Sequence, residues 1–363
     1  MLRRDFIAGS TVTTLLSGPF AKTIRASDAS DVIIGHGDYR YRVDYEWAKL
    51  NPVRTPILNC HEMVQDSKGR LIMLGDNTQN NILVFDKSGK LLDAWGTIFP
   101  GGHGLTIMND GIDECLLVTD GGWTLDRNGK SIQNNGRVTK MTLEGRVIFD
   151  IGHPQTIGIY EPGSKFCPTE TAVGPNGDIY VAAGYGQDYI IQYSQDGTYI
   201  RHWGGRNNVD PNYNLINAHG VALDTRDPSR PLLACTSRSE CCLKFFTLDG
   251  VFVKSVKLPN MRICRPVLDD DNLYAGVCWS TPRNGGSAWK GHTGFMTVLE
   301  GDEVVSNPGG SAPEYVDGVL QKSFQSPEQP ILHGHDVCVD QDKNLYVCQW
   351  NANRTPPIKL TRV

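Results

Sequence analysis

A short phrase returns three times in this chain with a histidine at the same point: Gly102-His103-Gly104-Leu105-Thr106-Ile107, Ala218-His219-Gly220-Val221-Ala222-Leu223 and Gly334-His335-Asp336-Val337-Cys338-Val339. Each opens a longer unit, in which an apolar run, a polar turn, a second apolar run and a third run lead into a turn such as Asp-Gly or Ser-Gly. The clearest copy goes from Ala172-Val173 through Pro175-Asn176-Gly177, Ile179-Tyr180-Val181, Ile190-Ile191-Gln192-Tyr193 and Gln195-Asp196-Gly197 to Tyr199-Ile200-Arg201-His202-Trp203-Gly204. Short apolar runs bounded by such turns are antiparallel strands. About four strands per unit, with units about 40 to 70 residues apart, are the pattern of propeller blades with loop insertions. One blade cannot bury its apolar faces alone, so the repeat demands a ring of neighbours.

Six units start near His61, His103, Thr169, His219, Arg265 and His335. The fifth is the weakest, with only Pro266-Val267-Leu268 and Leu273-Tyr274-Ala275-Gly276, and Ser306 through Gln325 reads as a loop. The upstream segment Tyr39-Arg40-Tyr41-Arg42-Val43 is expected to add a strand to the last blade, which closes the ring and removes its open edge. The expectation is an all-β, six-bladed propeller over residues 38–363, set against a pair of β-sandwiches. Length (363 residues), 39 glycines, 20 prolines and the lack of long helical periodicity agree with it. A formal charge of −5 gives no basic footprint for nucleic acid or an anionic membrane. A closed ring makes a monomer the default expectation.

The start, Met1-Leu2-Arg3-Arg4-Asp5-Phe6-Ile7, looks like a twin-arginine export signal, with Leu2 where Ser or Thr is usual. The apolar stretch from Phe6 to Phe20 is too short to span a bilayer. Residues 1–26 are therefore expected to be a signal peptide cut near Ala26, leaving a periplasmic or extracellular protein not inserted in the membrane. Ten cysteines in an exported chain raise the question of disulfides. The pattern carries no dense disulfide framework: Cys115, Cys338 and Cys348 sit inside apolar runs and read as core, and the one pairing left open is a strand-to-strand bridge from Cys235 to Cys241 or Cys242.

The residue just before each innermost strand lies near the central channel. Around the ring that slot holds His61, His103, Thr169, His219, Arg265 and His335, so four of nine histidines occupy six equivalent places. Three converging imidazoles with room for a further ligand form a catalytic zinc site, with iron, copper or manganese as alternatives. Asp336, pointing the other way from His335, can join main-chain carbonyls to hold a harder cation such as calcium, or can be satisfied by backbone N–H groups. Tyr185 and Arg238 follow the second strands of the third and fourth units, at the same channel mouth. A tyrosinate beside a cation can act as a base, and an arginine can fork a substrate carboxylate.

From Arg54 to Val363 the chain resembles the NHL-repeat six-bladed propellers, and within them the peptidyl-α-hydroxyglycine α-amidating lyases. The phrases that carry the resemblance are Gly102-His103-Gly104-Leu105, Phe166-Cys167-Pro168-Thr169-Glu170, Ile179 to Gly186, Ala218-His219-Gly220 and His335-Asp336-Val337. It implies zinc on His103, His219 and His335, an active-site tyrosine at Tyr185 and an arginine at Arg238. It also implies a structural calcium on Asp336 and the main-chain oxygens of Met63 and Leu105. The chain departs from the family in Leu74-Gly75-Asp76-Asn77-Thr78, where a second arginine is absent. Gly186 stands at the place of Cys167's disulfide partner, and His61 is an extra histidine open to service as acid, base or fourth ligand.

Three functions remain in view. The first is a zinc-dependent lyase acting on a hydroxylated small molecule or sugar, with Tyr185 or His61 taking a proton and Arg238 holding negative charge. The second is a metal-dependent hydrolase such as a lactonase. The third is a non-catalytic scaffold for protein or glycan, since propellers host many functions.

Overall fold

The computed structural model describes residues 32–363 apart from 112, 287–290 and 329, so the segment read as a signal peptide, 1–26, lies outside the described residues. Six antiparallel sheets carry the fold. Their innermost strands are Cys60–Gln65, Gly102–Asn109, Glu170–Val173, Val221–Asp224, Arg262–Asp269 and Gly334–Val339, which we take to define blades I to VI. Blades I to V have four strands each. Blade VI is built from both ends of the chain: Ile358–Arg362 is followed outward by Tyr39–Asp44 and Ile33–His36. Tyr41 pairs with Arg362 and Val43 with Leu360, so the expected closure by Tyr39-to-Val43 holds in register.

The core is divided among the blade interfaces. One apolar cluster joins Ile72, Leu74 and Val84 of blade I to Leu105, Leu116 and Val118 of blade II. Others join blades II and III, III and IV, IV and V, and V and VI in turn. The sixth, with Trp47, Met63 and Phe85 against Cys338, Tyr346 and Cys348, joins blade VI back to blade I. Side chains on alternate faces of each strand thus feed two neighbouring interfaces, which is why the middle strands read as unbroken apolar runs. Leu71–Gly75, Ile82–Phe85 and Ile179–Ala182 are buried at every position.

Three readings of the sequence need correction. Blade V is as complete as the others, with Phe295–Glu300 and Glu303–Ser306 as its outer strands. The stretch read as a loop from Ser306 begins on a strand end and contains a small hairpin, Tyr315–Val316 with Val319–Leu320. Its turn is tight because Asp317 and Gly318 both take positive φ, 50° and 76°. The expected Cys235 bridge is absent, and all ten cysteines are free. Cys235 lies opposite Lys244 while Cys242 lies opposite Ser237, two places along the same strand pair, so the two thiols do not face each other.

Candidate metal centre

The histidines reach the axis through irregularities in the innermost strands. Pairing with the second strand skips from Cys60 to Glu62, from Gly102 to Leu105 and from Gly334 to Asp336, so His61, His103 and His335 each lie at a register shift. A bulge re-aims a side chain that regular pleating would send into a blade interface. The glycine after the histidine in blades II and IV has a steric cause. A Cβ on Gly104 would stand 2.6 Å from the Thr169 carbonyl, and one on Gly220 would stand 2.7 Å from the Cα of Arg265. Neighbouring inner strands pass too close for a side chain there.

Four imidazoles meet: ring centroids of His103 lie 5.0 Å from His61, 4.7 Å from His219 and 4.8 Å from His335, and His219 lies 5.1 Å from His335. All four are buried, His61 the most exposed at 5%. Nδ1 of His103 bonds the Thr169 carbonyl at 2.8 Å, and Nδ1 of His335 bonds the His61 carbonyl at 2.9 Å. A carbonyl only accepts, so each Nδ1 carries the proton and each Nε2 offers its lone pair to the cluster. This is the orientation of imidazoles set by a supporting shell for a metal. Burial, and then the charge repulsion each would feel from the neighbouring histidines and Arg238, holds His103, His219 and His335 well below the usual histidine pKa. They are neutral, as ligands must be. Donor atoms of His61, His103 and His335 lie within 4.8 Å of one another, and so do those of His219, Cys264 and His335. Nδ1 of His61 and of His219 are buried and have no hydrogen-bond partner. Lone pairs gathered in this way, with no internal donor to satisfy them all, suit a borderline cation such as zinc.

Tyr185 is presented by the turn after Ile179–Ala182 and keeps part of its surface open to solvent. Its Oη lies 3.2 Å from Nε2 of His103 and 3.1 Å from Nε2 of His219. Burial raises its pKa, and the Arg238 guanidinium works against that rise. An Arg238 nitrogen reaches the same Oη at 3.4 Å, and the guanidinium stacks 4.6 Å above the Trp279 ring and 5.7 Å from the Tyr185 ring. Arg238 is 4% exposed, and its polar contacts among the described residues are Tyr185 and the Cys264 thiol rather than a carboxylate. The sequence-predicted residues His61, His103, His219, His335, Tyr185 and Arg238 therefore meet at one place.

Sequence reasoning missed three features. Asp76, at the end of the second strand of blade I, meets Nε2 of His61 at 3.4 Å and is held by the N–H and side-chain amide of Asn59 at 2.9 and 2.7 Å. Burial pushes its pKa up, but the His61 and Asn59 hydrogen bonds outweigh it and pull the carboxyl below its usual range. In blade V the slot expected for Arg265 belongs to Cys264, because pairing shifts twice between Arg262 and Pro266. A one-residue slip sends a side chain elsewhere. Thr169, in the slot of blade III, acts through its carbonyl on His103.

Third, the oxygens expected to hold calcium are already engaged. Arg265 donates to both Asp336 oxygens at 3.0 and 2.9 Å, to the Leu105 carbonyl at 3.0 Å and to the Met63 carbonyl at 3.2 Å. Calcium needs six to eight oxygens at about 2.3–2.6 Å, and the guanidinium fills that space. Asp336, Met63 and Leu105 therefore do not fit the expected calcium site.

Fold and site together define a closed six-bladed β-propeller with a buried histidine centre on its axis. No family model matches the chain. It is 28% identical over 290 residues to peptidyl-glycine alpha-amidating monooxygenase A of Xenopus laevis, an alignment covering 77% of this chain and 27% of that protein. It is 34% identical over 214 residues to peptidyl-alpha-hydroxyglycine alpha-amidating lyase 1 of Drosophila melanogaster, covering 54% and 36%. The chain thus spans only about a third of the length of these relatives or less. NHL repeat-containing protein 3 of Mus musculus is also similar, 26% identical over 52% of each chain. Among solved structures, a gluconolactonase from Xanthomonas campestris superposes with a TM-score of 0.56 at 11% identity, covering 93% of this chain and 92% of the other, a likeness of fold. No helix among the described residues is long and apolar enough to cross a membrane.

Proposed function

We propose that this protein is an exported, metal-dependent lyase that eliminates across a hydroxylated carbon of a small substrate bearing a carboxylate. One observation carries the reading: the Tyr185 hydroxyl bridges Nε2 of His103 and His219 while a buried Arg238, without a carboxylate of its own, stands against it. The similarity to amidating lyases supports the same class of reaction.

His103, His219 and His335 would hold the metal, with His61 or Cys264 beside them. When bound, zinc supplies Lewis acidity toward a substrate oxygen and electrostatic support for a tyrosinate. Arg238 binds the substrate carboxylate, because a buried guanidinium stacked on Trp279 has its hydrogen bonds to offer. Tyr185 Oη, as the tyrosinate, would take the proton of the substrate hydroxyl. The carbon–oxygen bond becomes a carbonyl, the bond from that carbon to its leaving nitrogen or oxygen breaks, and the leaving atom keeps the electron pair. Tyr185 returns the proton to that atom, so no water is consumed. Asp76 fixes the His61 ring on the far side of the cluster. The resemblance implies a second arginine in the stretch Leu74 to Thr78, where this chain has none and Asp76 carries the opposite charge, so the substrate should differ on that side, offering a hydroxyl or other donor instead of an anion.

The test is elemental analysis of wild type and His219→Ala, followed by assays for a carbonyl product from α-hydroxylated acids, an N-acyl-α-hydroxyglycine first. About one transition metal per chain, lost in the variant, is expected. Absence of metal in both after zinc reconstitution would end the metal-dependent reading. Acid release from a lactone with no carbonyl product would replace elimination by hydrolysis. Export is tested by fusing residues 1–26 to a reporter, whose delivery should stop when Arg3 and Arg4 are changed to lysine.

A further inference from the structure

The layer of residues next to the histidines holds a cluster of four buried charged side chains. Glu62 follows His61, Glu170 follows Thr169, Arg265 follows Cys264 and Asp336 follows His335. Glu62, Glu170 and Asp336 have side chains 1% exposed or less, and that of Arg265 is 11% exposed. The carboxylates cap the free edges of inner strands. Met63 N–H donates to Asp336 at 2.9 Å, Leu105 N–H to Glu62 at 2.5 Å and Thr171 N–H to Glu170 at 2.8 Å. Arg265 lies 3.6 Å from Glu62, 3.9 Å from Glu170 and 2.9 Å from Asp336, and its other N–H groups take the carbonyls of Leu105 and Met63. One guanidinium therefore ties blade V to blades I, II and VI by hydrogen bonds and to blade III by charge.

Three acids and one arginine leave an excess of negative charge where water is scarce. Burial, then repulsion from Glu170, pushes Glu62 well above the usual carboxyl range, and burial also raises Glu170 and Asp336. Glu170 Oε2 is buried without a hydrogen-bond partner in the heavy-atom geometry. Arg265 is the cation among these four residues and lies closest to Asp336. The carboxylates also face the edge N–H groups of Met63, Leu105 and Thr171.

We propose that Arg265 is the resident axial cation of this propeller, a covalently tethered replacement for a structural divalent ion, and that its removal exposes a latent calcium cage. That cage would consist of Asp336, Glu62, Glu170 and the carbonyls of Met63 and Leu105: three carboxyl groups and two main-chain oxygens, the hard donor set calcium prefers. The wild-type protein needs no calcium on its axis, because the ion and the guanidinium claim the same space. The inference does not depend on how the histidine centre is used.

The test is calcium binding by equilibrium dialysis with radiolabelled calcium, and thermal melting with and without a calcium-selective chelator, on the zinc-loaded full chain. Wild type should bind no axial calcium, and its Tm should be indifferent to the chelator. Arg265→Ala should melt lower by on the order of 5–10 °C, bind about one calcium and regain most of the lost Tm in millimolar calcium. Should the alanine variant not fold, Arg265→Lys keeps a cation in the cage and should fold with a smaller loss and no bound calcium. The proposal is overturned by one equivalent of calcium in wild type that disappears in Asp336→Asn. It is equally overturned by an Arg265→Ala protein that folds yet gains neither calcium nor stability from it.

Discussion

Two layers on the same inner strands, one residue apart, face the axis in opposite chemical states. The histidine layer is unfinished: four imidazoles converge, two ring nitrogens have no partner among the described residues, and the rings are bridged by Tyr185 and, through it, Arg238. The acid layer is closer to finished: its cation is supplied by the chain and its carboxylates cap backbone N–H groups, with Glu170 Oε2 left over. A site left short of a partner is built to receive one, whereas a saturated one is built to hold position. His335 and Asp336 are chain neighbours, yet substituting them should damage different properties.

The largest effect belongs to the proposed proton carrier. Tyr185→Phe should lower kcat by about 10²–10⁴-fold while leaving metal content and melting temperature near those of wild type, measured by steady-state kinetics and elemental analysis. Unchanged kcat would assign Tyr185 a packing role and return proton transfer to His61. Next comes Asp336→Ala, which strips Arg265 of its best partner. Breaking a buried ion pair on one side costs about 3–5 kcal/mol, to be read from the midpoint of urea denaturation. His335→Ala, one residue earlier, should lose the metal and much less stability in the metal-free protein. Equal losses in the two variants would dissolve the distinction between the layers.

Much of this contrast was legible in the sequence. Equal register of His103, His219 and His335 in three repeats was enough to bring them together, and His61 followed from the same slot. Alternation put Asp336 in a second layer, and the same argument applied to His61-Glu62 and Thr169-Glu170 would have delivered Glu62 and Glu170. Blade V defeated the count, since two register shifts around Ile263 and Pro266 move Cys264 into the histidine slot and Arg265 into the acid layer. No periodicity argument finds a bulge whose only trace is one displaced residue. Arg265 was missed among the oxygens expected to hold calcium for the same reason, because it lies on a strand whose register was off by one.

The layers should also respond to pH with opposite signs. The histidines have folded pKa values well below 6.5, so under metal-free conditions the unfolded chain binds more protons below that pH. Their contribution to stability is complete above pH 6.5 and lost as pH falls. Glu62 has a raised folded pKa, so its contribution is complete below about 4.5 and lost as pH rises toward that folded value. Stability of the chelated protein should drop between pH 6.5 and 5. His219→Gln should flatten that drop by about 1.4 kcal/mol per pH unit, and Glu62→Gln should steepen it. Parallel curves for wild type and both variants would show that neither layer controls the response.

The smallest effect tests Asp76, in the stretch Leu74 to Thr78 where the arginine implied by the resemblance is missing. Asp76 receives His61 Nε2 and two Asn59 donors, so it orients a ring and contributes no proton of its own to a substrate. Asp76→Asn keeps the shape but offers His61 an amide whose donor and acceptor must be sorted by rotation. Metal affinity should fall by about 10-fold, the low end for partners that orient metal-site histidines, measured by competition with a zinc chelator. The fall should vanish in a His61→Ala background, because Asp76 acts only through that ring. A full effect persisting without His61 would mean that Asp76 reaches the centre directly, and the unfinished layer would then extend one side chain further than the four histidines.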